Sequence, residues 1–168
     1  MTYEVRPLRL DDAPSVTEIY NAACMAEEST HGFRRWNVNE MKHFLFERHP
    51  TFDSYACVHK GAVVGWTAFT RHNVLEGYQH TAEMSLYVQD SFRFKGVGSA
   101  LAHTLLNRAR CLNLHCILAM VCKDMPHVVA FAERKCGFSV AGCLPIVFSH
   151  SGKYRDILIL EKLVAPLF

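Results

Sequence analysis

EMSLYVQDSFRFKGVGSALAHTLLNRARCL, residues 83–112, is the stretch that decides the fold. The apolar run Met84 to Val88 ends in a polar turn, Gln89-Asp90-Ser91. After Arg93-Phe94-Lys95-Gly96-Val97-Gly98, the residues Ala100, Leu101, Thr104, Leu105, Ala109 and Leu112 recur at helical spacing. Polar His103, Asn107, Arg108 and Arg110 fall between them. The stretch therefore reads strand, loop, helix, with the helix over residues 98–112. Glycine lets a backbone approach a ligand closely. Free N–H groups and the positive dipole end at a helix start favour a bound anion. Two glycines and two cations at that point make a cradle for phosphate or pyrophosphate.

Other phosphate motifs fit less well. A dinucleotide fingerprint needs a third glycine where Leu101 stands, and a P-loop needs Gly-Lys-Ser/Thr after a longer loop. The stretch resembles the acetyl-CoA motif Arg/Gln-x-x-Gly-x-Gly/Ala of the GCN5-related N-acetyltransferase (GNAT) superfamily. Arg93, Gly96 and Gly98 stand at its positions.

The rest of the chain supports a single domain over residues 1–168. Half of its 168 residues are hydrophobic, enough for a sizeable core and against disorder. A formal charge of +2, with basic residues scattered, points to neither nucleic acid nor a membrane surface. No apolar run approaches the roughly 20 residues of a membrane span. Met1-Thr2-Tyr3-Glu4-Val5-Arg6 is no signal peptide. The seven cysteines form no Cys-x-x-Cys pair and sit mostly in apolar segments, which reads as reduced thiols in a cytoplasmic protein. Their spacing relative to the histidines predicts no metal site.

In chain order, residues 4–10 read as a strand, and a helix follows with Pro14 in its first turn and Val16, Ile19, Tyr20 and Ala23 on one face. Asn37 and Glu40 form a capping box for a helix over 38–48, with Pro50 beyond it. Two strands, 54–59 and 62–70, are joined by Lys60-Gly61. A polar loop, the core strand and the long helix come next. A short strand at 116–121, a helix at 126–135 and strands at 138–144 and 156–163 complete the pattern. This is an α/β (α+β) class with a mixed central sheet. The order β-α-α-β-β-β-α-β-α-β-β is similar to the GNAT superfamily, which implies six to seven strands flanked by four helices. Val5-Arg6-Pro7, Ser29-Thr30 with Phe33, Thr81-Ala82-Glu83 before Leu86-Tyr87-Val88, and Gly152-x-Tyr154-x-Asp156 resemble the phosphinothricin N-acetyltransferase branch.

That resemblance implies an acetyl-CoA-dependent N-acetyltransferase acting on the amine of a small amino-acid-like compound, such as phosphinothricin or methionine sulfoximine. A protein or peptide N-acetyltransferase and a CoA-binding protein with little catalysis are the alternatives. Glu83, at the start of the core strand beside an apolar run, is the candidate general base, the role of a Glu at this place in the resembling branch. Arg93, Phe94, Lys95, Gly96, Val97, Gly98 and Ser99 are the candidate pyrophosphate contacts. The backbone of Leu86, Tyr87 and Val88 would pair with the pantetheine arm as an added strand. For the substrate, Phe33, Tyr78 and Tyr87 match family site aromatics. Asn73 and Leu75 stand where the branch places anion-binding cations, which leaves Arg71 and His72 just upstream as substitutes. Pro126 and Glu133 depart from the Asn and the Tyr or His usual in the superfamily. The branch forms homodimers, and the segment 148–156 with the strand 157–163 offers an apolar edge for one.

Overall fold

The structure is a computed structural model and describes residues 1–47 and 52–164. Its strands are β1 (Glu4–Pro7), β2 (Ser54–His59), β3 (Ala62–Arg71), β4 (Thr81–Val88), β5 (Cys116–Cys122), β6 (Ser139–His150) and β7 (Lys153–Leu163). Its α-helices are α1 (Ala13–Met25), α2 (Val38–Lys42), α3 (Val97–Leu106) and α4 (Pro126–Phe131). Among the described residues the strands form a seven-stranded sheet in the order β1-β2-β3-β4-β5-β7-β6. Neighbours pair antiparallel except β4 and β5, which are parallel. The mixed sheet and four helices expected from the sequence are present.

β3 is buried from Val64 to Thr70, which is why it reads as an almost continuous apolar run. Trp66 and Ala68 pack with Val16, Ile19 and Tyr20 of α1 and Met41 of α2. Phe69, Ala82 and Ile117 pack with Ala102 and Leu105 of α3. Alternation along the strands thus assigns α1 and α2 to one face and α3 to the other.

α3 sits close over β3 at Gly65. A Cβ there would lie 3.0 Å from Val97 Cγ1, 3.1 Å from Leu101 Cδ1 and 3.1 Å from the Tyr87 carbonyl oxygen. The β3–β4 ladder, with Gly65 opposite Val88 and Trp66 opposite Tyr87, prevents that carbonyl from moving aside. Gly65→Ala is expected to destabilise the fold by about 1–3 kcal/mol through overpacking. The midpoint of urea unfolding measures it.

Several boundaries differ from the sequence reading. β1 stops at Pro7 because Asp12 draws the chain inward: its carboxylate accepts from Arg6 at 2.7 Å and 2.9 Å and from the Arg9 amide at 2.8 Å. The Asn37–Glu40 capping box is formed, but α2 becomes a π-turn over His43–Glu47; Arg48 and Pro50 lie outside the described residues. α3 begins at Val97 and ends at Leu106, six residues short of Leu112, with turns and the left-handed Asn113 (φ 57) bringing the chain back to β5. α4 likewise widens into a π-turn, Ala132–Cys136, closed by left-handed Gly137.

The last two strands are longer than expected. β6 runs to His150 because it absorbs two irregularities, one at residue 141 and one between Leu144 and Phe148. Pro145 sits in the second, where a missing ladder donor is tolerated at an edge. The open edge at this end of the sheet is therefore β6, with β1 at the other end. The expected edge, 157–163, is corrected: it belongs to β7, paired on both sides, to β5 and to β6.

Candidate active site

The parallel β4–β5 ladder is short. It runs only over Thr81–Glu83 against Cys116–Leu118. β4 continues to Val88 and β5 to Cys122 without pairing to each other, and a cavity of about 140 Å³ opens between them. Glu83, Ser85, Tyr87 and Met120 line it, with Phe131 of α4 beneath. A larger groove of about 450 Å³ shares Leu86, Tyr87 and Phe131 with the cavity and reaches the loop before α3, where Arg93, Phe94, Gly96, Gly98 and Ser99 line it. The unpaired edge of β4 between the two suits an extended, amide-bearing ligand.

At the far end of the groove, Gly96 is the N-cap of α3 in a left-handed conformation, φ 87, and Phe94 is also left-handed, φ 58. These turns bring the chain into the helix so that the bond from Ala100 N to Gly96 O (3.0 Å) closes its first turn. The amides of Val97, Gly98 and Ser99 precede that bond and have no intrahelical acceptor. With the positive end of the dipole they could hold an anion. Gly98 leaves the groove open beside Phe131: a Cβ there would stand 3.5 Å from the ring. A slender arm ending in a diphosphate fits this donor set.

The two cations of the loop are engaged. Arg93 makes a fork-on-fork pair with Glu28 in the loop just beyond α1, at 3.0 Å and 2.5 Å, and approaches Asp90 at 3.0 Å. Its hydrogen bond to Glu28 holds the Arg93 pKa above its ordinary value. Lys95 donates to the Ser91 carbonyl at 2.7 Å and packs over Phe92. The loop amides, more than these side chains, are left for an anion. His127 of α4 and Lys135 of the π-turn after it also line the groove. Sequence reasoning missed both, because their orientation depends on how α4 crosses the sheet.

Glu83 lines the cavity, and its Oε1 lies 2.7 Å from His72 Nδ1. The other expected substrate residues separate. Arg71 donates through Nε to the Asn73 carbonyl (2.7 Å) and through Nη2 to the Val74 carbonyl (2.8 Å), holding its own loop. Tyr78 stands edge-on to His72 at 5.8 Å. Tyr87 is central: its hydroxyl shares a 3.0 Å bond with Ser29, and burial pushes its phenol well above the usual range. Phe33 is 65% exposed and does not line the cavity.

In the loop after α1, Ser29 and Thr30 carried the family resemblance but were given no site role by the sequence, and His31 was not singled out. Thr30 donates to the Met120 carbonyl at 3.3 Å, tying the loop across to β5. His31 lines the cavity, 3.4 Å from the Ser85 hydroxyl, and Ser29 holds both Tyr87 and the His31 amide. Only long-range packing brings this loop over β4, so no local pattern announces it. Asp124, near the departing Pro126, is bound by Arg155 at 3.0 Å and 2.5 Å. The described residues contain no metal-binding group.

The Acetyltransferase (GNAT) family profile matches residues 13–138. An L-methionine sulfoximine/L-methionine sulfone acetyltransferase of Pseudomonas paraeruginosa is 27% identical over 99% of this chain and 97% of its own. An L-amino acid N-acyltransferase of Escherichia coli is 24% identical over 94% and 91%. Among solved structures, a phosphinothricin acetyltransferase of Sinorhizobium meliloti in complex with acetyl-CoA superposes with a TM-score of 0.88 at 23% identity, covering 98% and 89%. A ribosomal-protein-alanine N-acetyltransferase of Brucella melitensis superposes with a TM-score of 0.88 at 25% identity, covering 96% and 99%.

Proposed function

The chain belongs to the acetyltransferase (GNAT) family, and from that premise we propose that it transfers an acetyl group from acetyl-CoA directly to the amine of a small amino-acid-like compound of the phosphinothricin or methionine sulfoximine type. The observation that carries this reading is the meeting of the cavity holding Glu83 with the groove that ends at the α3 amides. Acetyl-CoA, when bound, supplies the acetyl thioester. The α3 amides hold its diphosphate, and the unpaired β4 edge orients its arm. Glu83 takes the proton that the acceptor amine must lose before it can attack. The substrate type follows the relatives named above.

The tie from Thr30 to Met120 favours a small amine over an extended peptide, because it closes the cavity from above. A turnover screen of the purified protein against amino acids, their sulfoximine, sulfone and phosphinate analogues, and N-terminal peptides tests this, read by thiol release. Highest turnover on the amino-acid analogues is expected. Peptides as the best acceptors would overturn the small-substrate reading. Tight acetyl-CoA binding without turnover would favour a CoA-binding protein instead.

The same reading includes residues 1–168 working as one unit, a cytoplasmic setting suited to free thiols, and a homodimer. The dimer would use β6, an open edge, where Ile146 and Val147 are 69% and 58% exposed. Light scattering at micromolar concentration should give twice the 19.1 kDa chain mass, and Ile146→Lys should lower it. A monomer mass for the unaltered protein would refute the dimer.

A further inference from the structure

We propose that His72 is the positioning residue of the base: it acts on catalysis through Glu83 and not through a substrate anion. This rests on the role given to Glu83 above. The sequence offered His72 and Arg71 as substitutes for an anion-binding pair, and the geometry gives them another task. His72 follows directly on β3, and Glu83 lies opposite Thr70 in the ladder, so the two side chains meet at the mouth of the cavity. The Nδ1–Oε1 distance is 2.7 Å. A carboxylate only accepts, so Nδ1 carries the hydrogen and donates. That leaves Oε2 of Glu83 for the acceptor amine.

The histidine is itself held. Arg71 clamps the carbonyls of Asn73 and Val74, and the Asn73 side chain accepts from the Leu75 amide at 2.9 Å. The loop thus carries its own internal hydrogen bonds, and the edge of Tyr78 rests against the imidazole. Glu83 by contrast has a flexible side chain, 30% exposed, which without a donor would spread over several rotamers. A base must hold its oxygen within hydrogen-bond reach of the amine, and small misplacements cost rate heavily. The other titratable groups near the pair are Tyr78 on the loop and, lining the cavity with Glu83, His31, Tyr87, Cys136 and Glu28, the last held by Arg93. His31 faces the Ser85 and Tyr87 hydroxyls at 3.4 Å and 3.5 Å, while His72 Nδ1 stands on the Glu83 carboxylate.

A structural ion pair of this exposure contributes little to stability, so folding and positioning can be told apart. The experiment compares His72→Ala, His72→Asn, Glu83→Gln and the His72→Ala/Glu83→Gln double variant. It uses acetyl-CoA and the best amine of the screen above, beginning with L-methionine sulfoximine, and records thermal unfolding of each. His72→Ala is expected to lower kcat by roughly 10- to 10²-fold, the scale of a small misplacement of a reacting group. The KM for acetyl-CoA and the melting temperature should stay near those of the unaltered protein. His72→Asn, whose amide N–H falls close to the place of Nδ1, should recover most of the loss. In the Glu83→Gln background, His72→Ala should add little, because two residues acting as one unit are not additive. A full multiplicative loss in the double variant, or an unchanged kcat in His72→Ala, overturns the proposal while leaving Glu83 as base. An unchanged kcat in Glu83→Gln overturns both.

Discussion

Glu83→Gln is expected to lower kcat/KM at neutral pH by ~10²- to 10⁴-fold, the usual contribution of a general base. The amide keeps the size of the side chain and an oxygen that still accepts from His72 Nδ1. Its backbone stays in two ladders, opposite Thr70 and Leu118. Folding should therefore be preserved, and a melting curve beside that of the unaltered protein checks it. Acetyl-CoA affinity should hardly move, because the proposed diphosphate site lies away from Glu83, at the Gly96–Ser99 end of the groove. What is lost is the ability to take a proton, so the limb on which activity rises with base ionisation should flatten. A fall of only a few-fold with that limb intact would mean that the amine arrives deprotonated or that another group takes the proton.

The second large effect is expected on binding. Gly98→Glu places a carboxylate beside the amides at the start of α3, in the groove proposed to hold the diphosphate. An acidic side chain in the first helical turn favours the helix dipole, so α3 itself should remain formed. The same charge repels the phosphates. Like-charge juxtaposition costs several kcal/mol, which at 1.4 kcal/mol per decade means a loss of acetyl-CoA affinity on the order of 10²-fold or more. Gly98→Ala is the control: its methyl would meet Phe131 at 3.5 Å, ordinary contact, and should cost far less. Calorimetric titration of acetyl-CoA into each variant measures the difference. Equal affinity in Gly98→Glu and the unaltered protein would remove the anion site from this loop.

Some of the site was legible because its signals are local. Gly96, Gly98 and the amphipathic residues after them mark a tight turn into a helix, and backbone geometry alone then supplies the unpaired amides at its start. The capping box at Asn37 and Glu40 is another short-range signal, and it is formed as read. Glu83 stood out because a carboxylate leads an otherwise apolar core strand. Boundaries failed where tertiary demands overrode periodicity. The pattern of Ala109 and Leu112 continues a helix, yet both residues are needed in the turns that pack beside Leu114 against the sheet. The edge of the sheet could not be read, because strand order is a property of pairing partners far apart in sequence.

Charge partners were the least legible feature. Arg93 reads as a phosphate ligand, and the sequence did not show that Glu28, 65 positions earlier, pairs with its guanidinium. Arg71 and His72 read as a pair of free cations until one closes its own loop and the other meets Glu83 across the mouth of the cavity. By itself the sequence determined the alternation of strands and helices, the glycine turn before α3 and the carboxylate at the head of β4, since each depends on propensities and spacings within a few residues. Only the tertiary structure decided that β4 and β5 part after Glu83 and Leu118, that the loop after α1 closes over the gap, and which side chains are taken up in pairs. Those outcomes depend on side chains brought together from distant parts of the chain by the packing of α1 and α3 on opposite faces of one sheet, and no local pattern carries that information.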